Sequence, residues 1–298
     1  MANWFEEKFS PYEIHRHKLK KVVRRKKTKF QNIIIAETHS FGRCLILDGE
    51  LQSALADERI YHEMLVHPPL GFCRRTVSNV LILGGGEGAT LREVLRWRSV
   101  KKVTMVDIDR ETVDFCKKYL KEWHKNSFSD SRAEVVYEDA FNFVEKSSEK
   151  WDAVIMDLTC PLRGGPAYKL YSMEFLGIIK KHLLPYGVLG SQAGSASMNA
   201  SAFHYAFYAT VRKVFSALFS YRIFVPSFDL PWAFLFASGR LNSSVHAWRK
   251  IRKNVKGPFN TLNQGVLSGI GENPEYFKNN LKNCRRIISV KKPVFYFK

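Results

Sequence analysis

Between residues 18 and 55, apolar and polar positions alternate in short runs: LKKVV, FQNIIIAE, CLILDG and ELQSAL. Turn residues separate them, THSFG at 38–42 and Asp48-Gly49. A period of two marks half-buried strands, so this region predicts an antiparallel β-hairpin domain. The next stretch, ERIYHEMLVHPPL, switches to helical spacing and predicts a short bridging helix that stops at Pro68-Pro69. After Asn79 the pattern changes again. Strand-like runs VLIL (80–83), KVTMVDI (102–108), EVVYE (134–138), AVIMD (153–157) and GVLGSQ (187–192) alternate with the helical runs ATLREVLRW, ETVDFCKKYL, AFNFVEK and SMEFLGIIKKHLL. That alternation predicts an α/β, doubly wound, mostly parallel sheet. The expected division is a hairpin domain with its bridging helix at 1–70 and the α/β domain at 71–298. The last sixty residues are mixed in pattern and yield no assignment.

Composition adds limits. With 45% hydrophobic residues and 13% aromatics, the chain can bury a substantial core. No run of eighteen apolar residues occurs, and MANWFEEKFS lacks the basic-then-apolar start of a secretory signal, so no membrane association and a cytoplasmic location are expected. Five widely spaced cysteines without a CxxC pair argue against a disulfide framework and against a zinc site. The net charge of +19 sits at the ends: nine Lys/Arg and no acid between His15 and Lys29, and thirteen Lys/Arg against Glu272 and Glu275 from Arg240 onward. Such segments could bind nucleic acid, but no nucleic-acid-binding motif accompanies them, and a solvated strand face and helical tail are favoured.

LILGGGEGATLREVL places Gly84, Gly86 and Gly88 between the first parallel strand and a helix, where glycines let a backbone approach a ligand closely. Asp107 ends the second strand, 23 residues after Gly84, where an acid accepts hydrogen bonds from ribose hydroxyls. Asp139 follows the third strand and could hold an adenine amino group, and Asp157 closes the row at the carboxyl edge of the sheet. No GK[ST] follows the glycines, which disfavours phosphoryl transfer, and Ala89 breaks the G-x-G-x-x-G of dinucleotide sites. An S-adenosyl ligand, with an adenosine and a sulfonium but no phosphate, fits better. Glu87 would repel the carboxylate of S-adenosylmethionine and attract the bare propylammonium of its decarboxylated form.

With these residues in place, the chain resembles the spermidine synthase family of aminopropyltransferases. LDGELQSALADERIYHEMLVHPPL is similar to the family's segment between its hairpin domain and its nucleotide fold. GGGEGATLREVLR, DIDRETVDFCKKYL and GGPAYKLYSMEF look most like thermospermine synthases. The resemblance implies a Rossmann-like sheet of the class I methyltransferase type. Decarboxylated S-adenosylmethionine would be a co-substrate, with no metal and no other cofactor. It further implies that Gln31 and Gln52 line the nucleoside and donor site, that Glu87 holds the donor's amino group, and that Asp107 and Asp139 take ribose and adenine. Tyr61 would lie beside the reacting amine, Asp157 would be the catalytic acid–base group, and Gln192 would lie at another active-site strand end. Relatives form homo-oligomers, so a dimer or tetramer is implied.

Two positions depart from the family pattern. DLTCP carries Cys160 where a second acid is usual, and PSFDLPW carries Phe228 where a tyrosine is usual. Both belong to the acceptor side of the pocket. The Pro/Gly-rich stretch after Asp157 reads as a lid over that acceptor. The leading expectation is aminopropyl transfer onto a polyamine, spermidine to thermospermine first, then spermine or spermidine synthesis. The alternatives are an S-adenosylmethionine-dependent methyltransferase and a non-catalytic relative that binds nucleic acid through its basic ends.

Overall fold

The computed structural model describes residues 3–10 and 13–296, and two sheets organise them. The first is an antiparallel meander in the order β1 (Trp4–Ser10), β2 (Glu13–Lys27), β3 (Asn32–Thr38), β4 (Gly42–Leu47) and β5 (Glu50–Ala54). It begins well before residue 18, because Trp4 to Ser10 pairs with the long basic strand β2. Asp48 and Gly49 both have positive φ, 48° and 83°, as a two-residue hairpin of matching twist requires. One face of β3 and β4 buries Ala36, Cys44 and Ile46 within the sheet's own cluster. The other packs Ile33, Ile35 and Leu45 on Cys116, Leu120 and Trp123 of the following domain. The outward residues of β2 are largely exposed, and three of its cations pair with acids: Arg16 with Glu6, Lys21 with Glu37, and Lys26 with Glu111.

Helix α1 (Glu58–Phe72) leads into the second sheet, whose strands are β6 (Asn79–Gly84), β7 (Lys102–Asp107), β8 (Ala133–Tyr137), β9 (Trp151–Asp157), β10 (Leu183–Ser195), β11 (Ala217–Val225) and β12 (Leu230–Ser238). Their spatial order is β11-β12-β10-β9-β6-β7-β8. The five strands from β10 to β8 are parallel, and β12 and β11 add an antiparallel edge that the sequence pattern did not reveal. Along β6, Leu81 and Leu83 enter one core while Val80 and Ile82 enter the other, as a strand covered on both faces requires. Helices α2 (Ala89–Leu95), α3 (Arg110–Tyr119) and α4 (Lys121–His124) follow the first parallel strands, and α5 (Ala140–Lys146), α6 (Met173–His182) and α7 (Ala202–Val214) follow the later ones. The tail, unassigned from sequence, forms α8 (Ser244–Asn254), α9 (Gln264–Gly269) and α10 (Glu275–Asn283). Its Ile251, Leu262, Leu267, Phe277 and Ile288 are buried in the two cores. All five cysteines are free thiols. Among the described residues, no helix is long and apolar enough to cross a membrane.

The expected stop of α1 at Pro68-Pro69 does not occur: the helix runs through both prolines to Phe72. Proline lacks the N–H that would bond the carbonyl four residues earlier, which for Pro68 is Met64. The Tyr221 hydroxyl supplies the missing donor, 2.6 Å from the Met64 oxygen. Packing also admits Pro69: a Cβ at Gly190 on β10 would lie 2.7 Å from its ring, so only glycine leaves room there. Tyr221→Phe removes this donor and leaves a buried carbonyl unpaired. The variant is expected to lose about 1–3 kcal/mol of stability in urea unfolding. A loss below 0.5 kcal/mol, outside that range, would show that Met64 finds another partner.

Candidate active site

Strand order reverses between β6 and β9, and ligands of open α/β sheets bind in the crevice at such a switch point. Gly84 and Asp157 are paired there as the last residues of their strands. Gly84 has φ of +80°, and a Cβ on it would lie 2.3 Å from the Asp157 carbonyl oxygen, so no other residue fits. The Gly85 N–H bonds that same oxygen at 2.9 Å, which locks the turn onto the end of β9. Gly86 leaves room for Asp107, whose Oδ2 would be 3.0 Å from an added Cβ. Gly88 lies behind the turn, where it begins α2 and packs under the Phe128 ring.

Asp157 is half-buried and held by two hydroxyls. Tyr61 of α1 donates to Oδ1 at 3.0 Å, and Thr90 of α2 donates to Oδ2 at 2.6 Å. Burial, and then the nearby Glu87 charge, raise the Asp157 pKa to about 6, against the opposing pull of His62 and the two hydroxyls. Burial and the adjacent Asp157 hold the Tyr61 phenol well above its ordinary value, so it remains a donor.

Glu87 accepts from His62 Nε2 at 2.8 Å, while His62 Nδ1 meets the Glu58 carbonyl at 2.6 Å and its carboxylate at 3.0 Å. Burial alone would discharge this ring, but its bonds and charges with Glu58 and Glu87 prevail and raise its pKa to about 10. The chain of charge continues inward. Arg92 clamps both oxygens of Glu58 and bonds Glu93, which also takes His67. Ligand-type atoms of His62, Glu87 and Asp157 lie within 4.8 Å of one another. Oxygen acceptors face both nitrogens of His62, which favours the protonated ring. The cluster suits an ammonium.

A cavity of 190 Å³ opens over these groups. Gly84, Gly86, Glu87, Asp107, Asp139 and Asp157 line it from the parallel sheet, Tyr61 from α1, and Gln31 and Gln52 from the hairpin sheet. Burial and the neighbouring carboxylates raise Asp107 to about 7, although the Asp109 N–H favours its ionised form. A hydroxyl-bearing ligand that donates to it would relieve that penalty. Asp139 accepts the Asn142 N–H at the start of α5 while bordering the cavity. Gln31 is held in place by its amide bonds to Thr112 and Asp109.

A second cavity of 50 Å³ adjoins the first across Tyr61, Gln52, Leu158 and Cys160. Gln192 and Phe228 border this smaller space, not the larger one. Gln192 donates to the Leu158 carbonyl at 2.7 Å and the Tyr171 hydroxyl at 2.6 Å, so it braces the turn after Asp157. Burial drives the Cys160 thiol well above its usual pKa and keeps it neutral. The Pro/Gly-rich segment borders the larger cavity and is strapped from outside by the tail. The Tyr296 N–H bonds the Pro161 carbonyl at 2.9 Å, and Arg163 lies over the Phe295 ring.

Sequence reading missed His62, Thr90, Glu50, Trp232 and Tyr296. Helical spacing of Glu58 and His62 could have flagged the first, and alternation with Gln52 could have flagged Glu50. Trp232 and Tyr296 carry no local signal, because distant chain segments bring them to the site.

Comparisons with known proteins bear on the fold and the family. Residues 58–245 match the spermine/spermidine synthase domain, and residues 3–54 match the spermidine synthase tetramerisation domain. The chain is 40% identical over 296 residues to a polyamine aminopropyltransferase of Sulfolobus acidocaldarius, covering 98% of this chain and 97% of that one. It is 42% identical over 254 residues to the protein of that name from Sulfurisphaera tokodaii, covering 85% and 83%. A spermidine synthase solved with the transition-state analogue AdoDATO superposes with a TM-score of 0.88 at 28% identity, covering 95% of this chain and 97% of that one. The spermidine synthase of Thermotoga maritima gives 0.87 at 28%, covering 95% and 96%. A Rossmann-like sheet with acids at its strand ends and a hairpin sheet walling its crevice thus has close counterparts along nearly its whole length, and the chain belongs to the spermine/spermidine synthase family of aminopropyltransferases.

Proposed function

We propose that this protein transfers the aminopropyl group of decarboxylated S-adenosylmethionine to a polyamine, with spermidine as acceptor and thermospermine as the first expected product. The observation that carries the reading is the pair of adjoining cavities that meet at Tyr61, whose hydroxyl donates to Asp157 on the wall of the larger one. The larger, with Asp107, Asp139, Gln31 and Gln52, suits the adenosine of the donor, and Glu87 suits its ammonium. The smaller is lined by two acids, Glu7 and Glu50, against one cation, Lys8, and by several aromatic rings, which suits a polycation with an aliphatic backbone.

In this reading the acceptor nitrogen enters beside Tyr61 and passes its proton to Asp157. Its lone pair then forms a bond to the carbon next to the sulfonium. The carbon–sulfur bond breaks, sulfur keeps the electron pair, and neutral methylthioadenosine leaves. The two sides of the site hold nucleophile and electrophile in line, which removes much of the entropic barrier. The match of residues 3–54 to a tetramerisation domain supports assembly as a dimer or tetramer through the hairpin sheet. Trp4 and Ile14, exposed on β1 and β2, suit such an interface.

Amine-dependent methylthioadenosine release, followed by mass identification of the new polyamine, tests the function. Release with spermidine is expected, and Asp157→Asn should lower kcat by about 100- to 10,000-fold. Release that is indifferent to Asp157→Asn would remove the carboxylate from the chemistry.

The pH profile supplies a second test. Only ionised Asp157 accepts a proton, so kcat/KM should hold above its pKa of about 6 and fall tenfold per pH unit below it. Thr90→Val deletes a hydrogen bond that favours the carboxylate, so the acid limb should move to higher pH. A limb unmoved in Thr90→Val would assign the profile to another group.

A further inference from the structure

We infer that Glu50 is the carboxylate that holds the second charged nitrogen of the acceptor and thereby selects a triamine over a diamine; this rests on the aminopropyltransferase reading above. A fully protonated triamine brings more positive charge than Asp157 alone can match, and its inner and distal ammoniums need anionic partners to leave water. On the turn side of the smaller cavity the nearest candidate by sequence, Cys160, is a buried neutral thiol and offers no charge.

Glu50 stands where the missing charge is needed. The Asp48-Gly49 turn fixes it as the first paired residue of β5, opposite Leu47. Asp48 secures that turn by accepting from the Asn32 backbone and side chain at 2.8 and 2.9 Å. Residues 50 and 52 then share one face, and Leu51 buries on the other. Glu50 and Gln52 border both cavities, while Leu51 borders only the smaller one and joins the hairpin-sheet core. Glu50 is close enough to Cys160 and Tyr296 for its charge to act on both. Trp232 and Tyr296, 5.9 Å apart, complete an aromatic wall against which the methylenes between two nitrogens can lie. A carboxylate reached from the hairpin sheet thus does what an acid on the turn after Asp157 could do from the opposite side.

Steady-state kinetics with spermidine and with putrescine test this in the wild type, Glu50→Gln, Cys160→Asp and the double variant. Loss of one charged hydrogen bond should raise the spermidine KM of Glu50→Gln by about 10- to 100-fold, with the donor KM unchanged. Putrescine turnover should change far less. In the double variant, the acid at position 160 should recover most of the lost spermidine affinity. A spermidine KM within twofold of wild type in Glu50→Gln overturns the assignment. So does an equal rise in the donor KM, which would make Glu50 a structural residue. A wild type inert with every amine would instead sink the aminopropyltransferase reading itself.

Discussion

Glu58, Glu87, Asp107 and Asp157 crowd one largely buried region, and four carboxylates cannot all ionise there without countercharge. His62 is the cation at their centre. With its side chain 2% exposed and both nitrogens bonded to carboxylate oxygens, it supplies positive charge that opposes the rise of the Asp157 pKa. Arg92 supports it from behind by clamping Glu58, and also reaches the Trp123 carbonyl. Buried ion pairs contribute little net stability against their desolvation cost, but a lone buried charge is far worse. The chain from Glu87 through His62, Glu58 and Arg92 to Glu93 therefore has to be complete. Once complete, it leaves Asp157 with a pKa of about 6 and Glu87 at the cavity wall.

Helix α1 carries the middle of this chain and ties it to the rest of the molecule. Tyr61 and His62 face the crevice, while Glu63 and His67 face α2 and the tail. Glu63 accepts the backbone N–H groups of Asn260, Thr261 and Leu262, so the segment after α8 is anchored to the same helix that positions the reacting groups. A break at Pro68 would disturb that alignment, and a tyrosine from β11 caps the buried carbonyl that the proline leaves without its N–H partner. The tail then crosses to the other end of the sheet and ends over the segment following Asp157. A stretch with no pattern of its own thus closes the outer side of the site.

Much was written locally. Period-two alternation announced the hairpin sheet from residue 18 to 55, and alternating strand and helix runs announced the parallel sheet. The glycine-rich turn and the acids at three strand ends announced where a nucleoside would sit, because a strand-to-helix turn and its neighbours are built from contiguous residues. The basic run of β2 reads locally only in part: its cations are mostly exposed, but the register breaks between Leu19 and Lys21 and between Val22 and Arg24 interrupt the period of two.

The sequence by itself determined the period of each element, the place of the crevice and the identity of the acids that border it. Tertiary structure alone decided that α1 would continue through two prolines, that β11 and β12 would add an antiparallel edge, and that Tyr296 would reach Pro161. It also decided the charge state of His62 and the raised pKa of Asp157. The physical reason is range. Turn geometry and burial periodicity act over a few residues. A hydroxyl that replaces a missing N–H, or a carboxylate that holds a proton on a buried ring, acts between segments far apart in the chain, and only the packed fold brings them within hydrogen-bond distance.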